Sequence, residues 1–63
     1  NFMDLLKMDK NMFLSIVNMK LRDEFGDIED LCSFYEIKKE ELFEKLKEFN
    51  LYYEREINQI KNI

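Results

Sequence analysis

Acid–base or nucleophilic catalysis needs a base positioned beside a nucleophile, and this 63-residue chain contains no histidine. Ser15, Ser33 and Cys32 have no obvious basic partner. Cys32 falls on the same helical face as Leu31 and Tyr35, which makes it a buried, inert thiol rather than a reactive one. One Cys and no His leave no ordinary zinc ligand set. The acidic run Asp23–Glu24–Phe25–Gly26–Asp27–Ile28–Glu29–Asp30 invites a calcium reading, but an EF-hand loop needs Gly at its sixth position and Glu at its twelfth. Counted from Asp23, those positions hold Ile28 and Phe34. The chain is therefore expected to have no catalytic, metal or cofactor site and not to be an enzyme.

Binding chemistry is the remaining class. The net charge is −4, and its placement matters more than its size. Residues 1–26 balance, and residues 37–63 balance as well; the excess is Asp27, Glu29, Asp30 and Glu36. Nucleic-acid binding would have to use Lys38, Lys39, Lys45 and Lys47, yet Glu40, Glu41, Glu44 and Glu48 interleave with them. That spacing suits i, i+4 pairing on a solvated helix better than a phosphate clamp, so nucleic acid is not the expected partner.

These side chains must be carried by short elements. Asp9 can cap a first helix running to about Phe25, with Gly26 as a left-handed stop. Asp27 can cap a second, Ile28 to about Tyr35, with Glu29 and Asp30 in its favourable first turn. After a turn at Glu36–Lys38, a third should run from Lys39 to Phe49, closed by Asn50, although Lys38 is a poor cap. Leu51–Tyr53 and Gln59–Ile60 read as two short strands around a turn, or as an extended tail. The expectation is one mainly α domain over residues 1–63: an N-terminal extension (1–8), a three-helix, helix-turn-helix-like core (9–50), and a short C-terminal β-hairpin or extended tail (51–63).

The string Leu14–Ser15–Ile16–Val17–Asn18–Met19–Lys20–Leu21–Arg22–Asp23, then Leu31–Cys32, Leu51–Tyr53 and Asn58–Gln59, resembles a family of short bacterial proteins catalogued only as a domain of unknown function. The resemblance spans roughly residues 8–60 and implies no activity. Asn50 stands where that family would usually have Gly, and Lys38 where it would have an Asp or Ser cap. Residues 27–49 also resemble a helix-turn-helix, with Leu31, Tyr35, Ile37 and Leu42 at its packing positions. That second likeness implies a winged-helix-like DNA-binding accessory as the alternative function.

The first helix carries one more signal. Phe13, Leu14, Val17, Leu21 and Phe25 share a face that would build the core, whereas Met12, Ile16 and Met19 form a separate stripe at i, i+4, i+7. Asn11, Ser15, Asn18 and Arg22 are expected to be the wet edge between the two. The apolar start (Leu5, Leu6, Met8), the tail (Tyr52, Ile57, Ile60) or another chain should cover the stripe. A domain this short hides only about 60% of its unfolded surface, so a second copy would add usefully to its stability. The expected function is a non-catalytic protein-interaction module that binds a protein partner or itself, using Met12, Ile16 and Met19. A lone cysteine and the lack of any long apolar run fit a cytoplasmic setting, with no membrane partner and no evident small-molecule substrate.

Overall fold

The computed structural model describes residues 4–63. A 3-10 turn (Leu5–Lys7) leads into α1 (Lys10–Asp23), α2 (Ile28–Tyr35) and α3 (Lys39–Glu48), and an antiparallel hairpin of β1 (Leu51–Glu54) and β2 (Gln59–Asn62) follows. The architecture is mainly α, with the hairpin in place of an extended tail.

Local chemistry explains several of the boundaries. The Asp27 carboxylate accepts the Asp30 N–H at 2.9 Å and caps α2. The helix ends in a Schellman motif: the Ile37 N–H donates to Cys32 O at 3.0 Å, the Glu36 N–H to Ser33 O at 3.2 Å, and Glu36 takes φ 58°. A left-handed Glu costs about 1–2 kcal/mol relative to Gly, so its residue type does not signal this stop. At α3 the Lys38 side chain accepts no capping bond, but Glu41 supplies the reciprocal half of a capping box, its Oε1 accepting the Lys38 N–H at 3.1 Å. Asn50 closes that helix at φ 58°, as its type suggests.

Two boundaries of α1 depart from expectation. Asp9 sits at the N-cap with extended backbone, and its carbonyl takes the Phe13 N–H at 2.9 Å, but its side chain makes no capping bond. At the other end α1 stops at Asp23, and Gly26 is not left-handed; no described glycine has positive φ. The Leu21 carbonyl, which would have accepted the Phe25 N–H in a continued helix, accepts the side chain of Asn58 instead, and the Phe25 N–H turns back to Lys20 O at 3.0 Å. A residue of the hairpin thus satisfies carbonyls left open at the end of this helix.

The core gathers Phe13, Val17 and Leu21 from α1 with Ile28, Leu31, Cys32 and Tyr35 from α2. Leu42 and Leu46 of α3, and Leu51 and Ile60 of the hairpin, complete it. Leu14 and Phe25 pack at its margin rather than inside. The N-terminal segment is more than an extension: Leu5 is only 1% exposed, held by a turn in which the Asp4 carboxylate accepts the Leu6 N–H at 3.2 Å.

Candidate functional site

Among the described residues no three His, Cys, Asp or Glu side chains come together as a metal-binding group. Cys32 is 4% exposed, and burial pushes its thiol up to about 11, leaving essentially no thiolate near neutrality.

The four lysines proposed for phosphate contact are dispersed. Lys39 donates to Glu29 at 3.1 Å, and the same carboxylate accepts two bonds from Arg55, at 3.1 and 2.8 Å. Held first by Arg55 and then by Lys39, the Glu29 carboxyl titrates at about 2, well below its ordinary range. Lys45 pairs with Glu48 at 3.0 Å and lies 5.4 Å over the Phe49 ring. Lys38 and Lys47 remain exposed, but Lys38 is at the entry to α3 and Lys47 in its last turn. Two of the four lysines are thus occupied by carboxylates.

Helix α1 presents three different faces. Met12 and Met19 are 52% and 42% exposed, with Ile16 half-buried against the edge of the core between them. Asn18, assigned from its position to the wet edge, is instead half-buried and docks the hairpin: its Oδ1 accepts the Ile60 N–H at 2.6 Å and its Nδ2 donates to Ile60 O at 3.0 Å. Gln59 adds a bond from Nε2 to Asn18 O at 3.2 Å. One turn further on, Asn58 Nδ2 donates to Leu21 O at 3.0 Å and Phe25 O at 2.9 Å, while its Oδ1 accepts the Tyr53 hydroxyl at 2.5 Å. These amides fasten β2 to the polar flank of α1. Of the tail residues offered as cover for the methionines, Ile60 goes into the core, while Tyr52 and Ile57 stay 42% and 52% exposed.

On the far side of the hairpin lies a feature that helical periodicity could not reveal. An open groove of about 590 Å³ runs between α3 and β1. Leu46 and Leu51 contribute core side chains to its lining, and its aromatic members are Phe43 and Tyr52, 36% and 42% exposed, with the half-buried Tyr53. Glu40, Glu44, Lys39 and Lys47 add the charge. The alternation of Leu51, Tyr52 and Tyr53 was a usable signal for the strand, but its juxtaposition with α3 is tertiary.

The sequence pattern of the family described as a domain of unknown function, DUF4250, matches residues 7–60, and the chain belongs to that family. No curated protein and no solved structure matches the chain.

Proposed function

We propose that this DUF4250 domain is a non-catalytic protein-interaction module whose partner is a second copy of the chain, joined through α1. The observation that carries this reading is the exposure of Met12 and Met19, at 52% and 42%, on a helix whose opposite face already supplies Phe13, Val17 and Leu21 to the core. Methionine is suited to such a contact because its unbranched side chain adapts to the surface it meets. Two antiparallel copies of α1 would bring the stripes together and remove both thioethers from water.

Substitutions in the stripe test the reading. Met19 is exposed, so Met19→Glu should leave the fold intact while placing a charge in a desolvated contact. Sedimentation should find wild-type dimer and variant monomer, with unchanged helical circular dichroism. Ile16→Glu should also dissociate the dimer, but with a loss of stability, because Ile16 packs against the core. A wild-type monomer throughout a concentration series would refute self-association.

The alternative, a winged-helix-like DNA-binding accessory, has the order of α2, α3 and hairpin in its favour and the charge against it. With Lys39 and Lys45 already paired, and Asp27 and Asp30 at the start of α2 in no ion pair among the described residues, a phosphate backbone would meet net negative charge there.

A further inference from the structure

The sulfur atoms of the chain are unevenly placed among its four methionines and one cysteine. Cys32 is 4% exposed, and burial lifts its thiol to about 11, so it offers an oxidant essentially no thiolate. Met8 is half-buried against the core, and Met3 lies outside the described residues. Among the described residues the exposed thioethers are Met12 and Met19, at 52% and 42%, both on α1 and both outside the core. Ile16 lies between them, four residues from one and three from the other. In an antiparallel pair of α1 helices related by a two-fold axis at Ile16, Met12 of each copy comes within about one residue of Met19 of the other. Four thioethers then surround the centre of the contact.

A two-electron oxidant turns such a side chain from apolar to polar. The sulfur lone pair attacks one oxygen of hydrogen peroxide, the S–O bond forms as the O–O bond breaks, and the other oxygen leaves as water with both peroxide protons. Sulfur is oxidised by two electrons and peroxide is reduced by two. The new sulfoxide oxygen accepts hydrogen bonds, and Met12, Ile16 and Met19 supply no side-chain donor to satisfy it inside a desolvated contact. We infer that α1 is an oxidation-sensitive association switch, in which peroxide converts Met12 and Met19 to sulfoxides and the dimer separates into folded monomers. The inference rests on the α1 dimer proposed above. Because neither thioether is part of the core, the fold survives the change. The dimer in turn shields both sulfurs, so oxidation runs through the monomer and is fastest in dilute protein. A sulfoxide reductase reverses it: the oxygen leaves as water, the sulfur regains two electrons, and a dithiol becomes a disulfide.

The test treats the full chain with hydrogen peroxide, follows each methionine by peptide mass mapping, and records sedimentation and circular dichroism before and after. The dissociation constant of the dimer should rise at least ~10-fold while the helical signal stays unchanged. Met12 and Met19 should oxidise more slowly in concentrated than in dilute protein. Met12→Leu combined with Met19→Leu keeps an apolar stripe of similar volume, and it should remain dimeric through the same treatment although Met3 and Met8 are still present. Methionine sulfoxide reductases of both stereospecificities, supplied with dithiothreitol, should restore the wild-type dimer. A wild type that stays dimeric with Met12 and Met19 fully oxidised would overturn the switch and leave the dimer standing. A double leucine variant that dissociates in peroxide, or a wild type that loses its helical signal as it oxidises, would overturn the switch as well. A wild type that is monomeric before peroxide is added would overturn the dimer and the switch together.

Discussion

Replacing Asn58 should do more damage than any other single polar substitution among the described residues. Its side chain makes three hydrogen bonds, to Leu21 O, Phe25 O and the Tyr53 hydroxyl, and its backbone stands at φ 54°. Each hydrogen bond is worth about 0.5–1.5 kcal/mol net, and the partly buried setting favours the lower half of that range. Forcing Ala into the left-handed conformation adds about 1–2 kcal/mol. Asn58→Ala should therefore cost ~2.5–5 kcal/mol, against a whole-domain stability of roughly 3–9 kcal/mol for this length. With a urea slope near 1 kcal/mol/M, the midpoint should fall by about 2 M or more. Asn58→Gly separates the two contributions: it loses the same side-chain bonds but tolerates the backbone, so it should be more stable than Asn58→Ala by about 1 kcal/mol. Asn58→Asp keeps an acceptor for Tyr53 but turns an anion toward two carbonyl oxygens, and it should be no better than Ala at neutral pH. Coincident urea midpoints for wild type and Asn58→Ala would refute the hairpin latch, and a Gly variant less stable than the Ala variant would refute the backbone argument.

Cys32→Ala should cost ~1 kcal/mol or less, whereas Leu46→Ala, which empties a larger site in the core, should cost ~2–5 kcal/mol by denaturant unfolding. Native Cys32 should react slowly with a thiol reagent at neutral pH, and fast labelling would contradict its burial and raised pKa. The folded Glu29 carboxyl titrates at about 2 instead of 4.5, so its contribution to stability is full above about 4.5 and is lost as the pH falls toward about 2. Unfolding of wild type and Glu29→Gln across that window should show the two converging as the pH drops; a constant separation would mean that the Arg55 and Lys39 contacts do not form in solution. Mixed-sequence duplex DNA should show no binding at about 150 mM salt, where non-specific binders reach ~10⁻⁴–10⁻⁶ M, and micromolar affinity with a steep salt dependence would restore the DNA-binding reading.

The features legible in the order of the amino acids are those that short-range chemistry controls. The spacing of Leu31, Cys32 and Tyr35, and of Leu42 and Leu46, placed the inner faces of α2 and α3, because a helix repeats every 3.6 residues whatever it packs against. Asp27 and Asn50 marked the start of α2 and the close of α3, since a cap needs only its own neighbours. Tertiary structure decided the rest. Asn18 looked like a wet-edge residue because its angle on α1 says nothing of a hairpin some forty residues later whose Ile60 it satisfies. Gly26 looked like the stop for α1, but that helix ends earlier, and its open Leu21 carbonyl is satisfied by the Asn58 side chain of the hairpin. Leu5 looked like part of an extension and is core, because three short helices leave room for one more apolar side chain. The groove beside β1 was invisible for the same reason. Strand register follows from pairing across the hairpin, and the wall facing β1 across the groove comes from α3, so neither is encoded in any one segment.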